Sequence, residues 1–139
     1  MWLYRMKKSV LVAMVVLWCL SVCGCHKQRT FSDDLRRDVE QTNKNAPQVV
    51  AEGVLFDSMR YDERNNLLAY YYTMDDSVYT REGIEEGRKL FRLTMLKEMQ
   101  SSIKLKKYKE KGMTFEYKYL AKSDGRELLS ERFTAEDYR

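Results

Sequence analysis

Met113-Thr114-Phe115-Glu116-Tyr117-Lys118-Tyr119-Leu120 sets a large apolar side chain at every second position. A period of two puts successive side chains on opposite sides of an extended chain, so this stretch predicts a strand that buries Met113, Phe115, Tyr117 and Tyr119 on one face. Asp124-Gly125 follows where a tight turn belongs, and Glu127 to Phe133 returns as the partner strand. Thr134 to Arg139 then closes with about one turn of helix.

Upstream, Leu67 to Met74 repeats the pattern, with Leu68, Tyr70, Tyr72 and Met74 on one face and Leu67, Ala69, Tyr71 and Thr73 on the other. Asp62 to Asn66 is its turn, and Gln48 to Tyr61 is the expected partner, a single strand in which Gly53 marks a bulge. Between the two hairpins, Arg81 to Lys111 is rich in helix formers, and Ile84, Gly87, Phe91, Met95 and Met99 recur at helical spacing. Leu90, Leu93 and Leu96 widen that stripe, Ser101-Ser102 is a candidate bend, and Gly112 is a natural stop. Phe31 to Asn45 reads as a short charged helix with Ser32 as N-cap and Asp33 and Asp34 in its first turn, ended by Asn43 to Pro47. The expectation is an α+β domain spanning 46–139: an antiparallel sheet of about four strands, made of two hairpins, packed on one long helix. The short N-terminal helix precedes it, within a tether segment spanning 25–45.

The first 24 residues have a different composition. Arg5, Lys7 and Lys8 supply positive charge, and Ser9 to Val22 is apolar and uncharged, close to the length of a secretory h-region and below the roughly 20 residues of a comfortable membrane span. Val22-Cys23-Gly24-Cys25 then resembles the lipobox of bacterial lipoproteins, with Val22 and Gly24 matching well and Cys23 a less usual occupant of its position. The resemblance implies cleavage between Gly24 and Cys25, a diacylglycerol on the Cys25 thiol, and further acylation, such as palmitate, on the new amine. Each buried methylene contributes ~0.8 kcal/mol, so two or more chains together hold a protein on a bilayer. It further implies an extracytoplasmic, lipid-anchored protein of the bacterial cell envelope. An uncleaved N-terminal anchor is the alternative.

Cys19, Cys23 and Cys25 are the only cysteines of the 139 residues, so the domain beyond them carries no disulfide and rests on its hydrophobic core. The chain has 25 basic and 21 acidic residues, and loss of Arg5, Lys7 and Lys8 with the leader would bring the two nearly level. Such a balance exerts no general pull on nucleic acid. Lys104, Lys106, Lys107, Lys109 and Lys111 form a local basic run, read as a solvated helix end that suits the dipole. The one histidine, His26, stands beside the lipobox cysteine, so no Ser/His pair, zinc cluster or phosphate-binding glycine loop is expected, and no cofactor.

Tyr70-Tyr71-Tyr72 is the most conspicuous local feature. Alternation gives Tyr70 and Tyr72, with Phe115 and Tyr117, to the core and leaves Tyr71 on the opposite face, where a ring can meet a partner. Tyr71 with Asp75, Asp76 and Tyr79 is the candidate partner-binding surface. Asp75-Asp76 and Glu85-Glu86 read more simply as turn and helix-start residues. The function expected is a noncatalytic binding or adaptor module for a protein partner, with an open sheet edge available for strand addition or self-association. The alternatives are an inhibitor-like lipoprotein blocking an envelope enzyme and, behind it, a small carboxylate-dependent enzyme.

Overall fold

The two hairpin signals become five strands. In the computed structural model, which describes residues 29–139, the chain runs α1 (Phe31–Asn43), β1 (Gln48–Ala51), β2 (Val54–Asp62), β3 (Leu67–Met74), α2 (Arg81–Ser101), α3 (Lys106–Glu110), β4 (Thr114–Ala121), β5 (Glu127–Phe133) and α4 (Ala135–Tyr138). These strands form one sheet in the order β1-β2-β3-β4-β5. The class is α+β, as expected.

The extra strand arises at Gly53. The stretch from Gln48 is not one bulged strand, because the chain folds back at Glu52-Gly53 and pairs Gln48 with Phe56 and Val49 with Leu55. Gly53 takes φ +69, which a side chain rarely adopts, and a Cβ there would meet the Tyr79 ring at 3.2 Å. The Asp75 N–H donates to the Gly53 carbonyl and the Tyr79 hydroxyl to the Glu52 carbonyl, so the loop after β3 holds this turn in place. The pairing is irregular on both sides of the turn, with register slips between Val49 and Ala51 of β1 and between Phe56 and Ser58 of β2.

The sheet is also mixed rather than antiparallel throughout. β1–β2, β2–β3 and β4–β5 are antiparallel, but β3 and β4 run parallel, from Leu67↔Thr114 to Met74↔Ala121. A tight turn reverses the chain once; the helical crossover of α2 and α3 reverses it twice, so β4 returns alongside β3 in the same direction. That crossover breaks where the Ser101-Ser102 signal puts it. Ser102 is extended and its N–H donates to the Met99 carbonyl, and the Lys109 ammonium donates to the Met99 and Gln100 carbonyls at the end of α2. Gly112 stops α3 with φ +64. α1 begins at Phe31 as expected, but Thr30, not Ser32, is its cap, exchanging bonds with Asp33 in a capping box.

The described helices lie on one face. Phe56, Met59, Leu68, Phe115 and Phe133 from the sheet form a core with Leu35 of α1, Met99 of α2, Tyr108 of α3 and Tyr138 of α4. Phe115 and Phe133 are fully buried, each contributing about 1.5–3 kcal/mol by transfer from water. The other face is polar: Thr73 donates to Asp57 at 2.7 Å, Glu116 pairs with Lys118 and Arg132, and Arg60 covers the Tyr71 ring. No helix among the described residues is long and apolar enough to cross a membrane.

Candidate docking groove

The helix layer does not close over the whole face. α1 packs on β2, whereas α2 packs toward β5 and α4, and between them the surface opens into two adjoining cavities of about 660 and 490 Å³. Both touch Val50, Tyr72, Phe91, Thr94 and Tyr119, so they form one groove. Its size is that of a ligand site.

Two walls and a floor define it. One wall is α2, capped by Thr80, whose side chain accepts from the Gly83 N–H. Gly83, Gly87 and Thr94 recur on one side of this helix, so the wall is low there, and a Cβ added at Gly87 would meet nothing within 4 Å. Opposite stands β1, exposed along its length, with Val50 53% exposed. Leu90, 71% exposed, and Val78 rise at the rim.

The floor comes from a tyrosine ladder that parallel pairing creates, of which Tyr72, Tyr117 and Tyr119 line the groove. Tyr70 lies in register with Tyr117 and Tyr72 with Tyr119, and the rings stack with centroids 4.9 and 4.7 Å apart and planes within 6° and 13°. Phe56 meets Tyr72, and Phe91 meets Tyr119, edge-on. Among the described residues none of the four hydroxyls has a hydrogen-bond partner, and none is a buried unsatisfied atom, so all remain open to solvent or a ligand. Burial pushes the Tyr72 phenol up to about 12. Burial raises Tyr70, Tyr117 and Tyr119 further, with neighbouring tyrosines adding to it and Glu98 adding at Tyr117 and Tyr119. These phenols are neutral donors at any physiological pH.

The α2 wall is fixed from behind. Glu131 on β5 is only 5% exposed and accepts from Arg88 at 3.1 Å and Arg92 at 2.7 Å; Arg92 also reaches Asp137 at 3.3 Å and lies over the Phe133 ring. A buried carboxylate is tolerable only with such partners. It sets where α2 sits, and hence how wide the groove is.

The surface residues expected from the sequence are divided by this arrangement. Tyr79 lines the groove, its hydroxyl bonded to Glu52. Asp75 and Asp76 lie beside it in the turn after β3, where they shape that turn and tie it to the β4–β5 turn. Asp75 accepts from the Ser77 N–H and hydroxyl, Asp76 from the Ser123 hydroxyl and N–H, and these bonds hold both carboxyls below the usual range. Tyr71 is half-buried on the opposite face of the sheet, so it shares no surface with Tyr79. Val22, Gly24 and Cys25 lie outside the described residues. The lysine run is largely engaged: Lys107 with Asp38, Lys106 with Glu110, Lys109 with the end of α2, and Lys111 against Phe31. What the sequence reading missed is the contribution of Val50, Gly83, Gly87 and Thr94. The four-residue spacing of Gly83 and Gly87 within a helix was the available signal. Among the described residues no cluster of three His, Cys, Asp or Glu side chains is placed to hold a metal.

The family described as "Domain of unknown function (DUF8479)" matches residues 30–129, and the chain belongs to it. No curated protein matches the sequence. Solved structures do share the fold. A Pseudomonas aeruginosa protein described as secreted superposes with a TM-score of 0.68 at 17% identity, covering 78% of this chain and 92% of that one. The pilotin EpsS of the Vibrio vulnificus type 2 secretion system gives 0.57 at 11% identity, over 74% and 86% of the two chains. The type II secretion system pilotin AspS of Vibrio cholerae gives 0.53 at 6%, over 73% and 85%.

Proposed function

We propose that this member of the DUF8479 family is a lipid-anchored, noncatalytic adaptor of the bacterial cell envelope that captures a segment of a protein partner in the groove between β1 and α2. The observation that carries it is the groove itself: an apolar cavity of about 660 Å³ with exposed valine and leucine rims and free tyrosine hydroxyls on its floor. Contiguous exposed apolar surface edged by polar groups is a binding feature, and an apolar trough with a few hydrogen-bonding points beside the exposed strand β1 fits a peptide segment. The lipobox resemblance at Cys25 supports the anchor. The fold shared with a secreted protein and two secretion-system pilotins supports an envelope setting and an accessory role beside a larger assembly.

The test is site-specific photo-crosslinking in the full chain in its own host. A crosslinker at Leu90 or Val50 should form a discrete protein adduct that Gly87→Phe, which fills the groove, abolishes. Adducts formed from Tyr71 and not from Leu90 or Val50 would overturn the groove as the docking surface. For the anchor, Cys25→Ala should move the folded protein from the membrane fraction to the soluble fraction, and an unchanged membrane fraction would count against lipidation.

A further inference from the structure

We infer that the segment docked in the groove carries a lysine or arginine among its apolar residues, with the cationic head seated against Glu98. This deepens the docking reading above and rests on it.

The charge distribution of the groove is one-sided. Of the described residues lining the two cavities, Glu98 alone carries a charge, and no lysine or arginine is among them. Glu98 lies one helical turn beyond Thr94, toward the C-terminal end of α2, where the helix dipole adds partial negative charge. The nearby ammonium of Lys109 is committed to the Met99 and Gln100 carbonyls at 2.7 and 2.8 Å. Among the described residues Glu98 has no ion pair, and no hydrogen bond engages its carboxylate.

That vacancy matters once something covers it. In the open groove the carboxylate is hydrated and costs nothing. An apolar occupant lying across Tyr72, Tyr117 and Tyr119 would strip its water, and burying an unpaired carboxylate is strongly unfavourable. An acidic occupant would add repulsion with no counter-charge among the described lining residues. A lysine or arginine removes both penalties: its aliphatic stem packs along Phe91 and Met95 while its head meets Glu98 and the rim of tyrosine hydroxyls, which accept as well as donate. Glu98 is exposed in the open groove, and a pair that the occupant itself shields from water is worth more than a surface pair, so discrimination of about five- to tenfold between a basic and an isosteric neutral residue is expected.

The experiment is selection of displayed random peptides of about twelve residues against the full chain held in lipid nanodiscs, with binders to empty nanodiscs subtracted. Recovered peptides should be apolar and enriched in lysine or arginine. On Glu98→Gln the basic enrichment should vanish while the apolar enrichment stays, and on Glu98→Lys acidic residues should replace basic ones. Apolar peptides recovered without basic enrichment, or a basic enrichment that Glu98→Gln leaves intact, would overturn the assignment of Glu98 while leaving the groove as a docking surface. Recovery of the same peptides on Gly87→Phe would instead overturn the docking reading itself. For the best peptide, replacing its basic residue with norleucine should weaken binding about five- to tenfold on the wild type and leave it unchanged on Glu98→Gln.

Discussion

Two ends of one sheet face use the same residue types to opposite effect. At the end under α1, α3 and α4, Phe115, Phe133, Leu35 and Met113 are sealed, and even the Tyr138 hydroxyl is satisfied, donating to the Met113 carbonyl at 2.6 Å. Along the groove, Tyr72 and Tyr117 continue the same alternating rows yet are only partly buried, with free hydroxyls. The difference lies in the covering layer: α1 and α2 lean to opposite sides of the sheet and leave its middle uncovered. Periodicity therefore identifies the apolar face without saying how much of it the protein keeps for itself.

The contrast is sharpest in stability. Phe115→Ala should cost about 3–5 kcal/mol, because the sealed end leaves a cavity that cannot collapse fully. Tyr117→Ala, two residues along the same face, should cost distinctly less, since water already reaches that ring. Denaturant unfolding of both variants decides it, and equal losses would mean the groove closes in solution. Next in size is the clamp behind α2. Arg92→Met removes one of two partners of the buried Glu131 and the contact with the Phe133 ring, so a loss of about 2 kcal/mol is expected by the same denaturant assay. Arg88 still pairs with Glu131, which keeps the loss below that of an orphaned buried charge.

Much of this was legible from sequence for a physical reason: β3, β4 and β5 are local patterns, and a period of two needs no knowledge of the rest of the chain. The turn at Gly53 was harder, since a lone glycine within an apolar run serves equally as a bulge or as a reversal, and the choice is made by Tyr79 and Asp75, more than twenty residues away. The parallel pairing of β3 and β4 follows from the crossover, not from either strand. The groove was least legible, because the position of α2 depends on Arg88 and Arg92 meeting Glu131 across about forty residues. Tyr71 was placed correctly on the far face, yet nothing in its own sequence indicated that the apolar opening would form on the other side.

Alkaline titration tests the comparison from another direction. The groove phenols have folded pKa values above the unfolded value near 10, and Tyr72 stands at about 12. Raised values mean the neutral form is favoured by folding, so the stability they contribute is fully present below pH 10 and is lost as pH rises through about 12 and beyond. Phenolate absorbance should show a late-titrating group of tyrosines that moves to ordinary values on unfolding. An occupant in the groove should delay it further.

The smallest effect is expected at Tyr71, and it is the most discriminating. Its ring lies beneath the Arg60 guanidinium, 4.9 Å from the centroid, on the solvent face of the sheet, an arrangement worth about 0.5–1 kcal/mol. Tyr71→Ala should therefore lower stability by that amount and leave capture of a partner at the groove unchanged, because the sheet itself separates the two surfaces. Loss of crosslinking from Leu90 in this variant, with stability nearly intact, would make the polar face part of the interface and imply a partner that wraps the β1 edge to touch both sides. Unchanged crosslinking confines recognition to the side the helices leave open, and makes the gap between α1 and α2 the feature that folding preserves for binding.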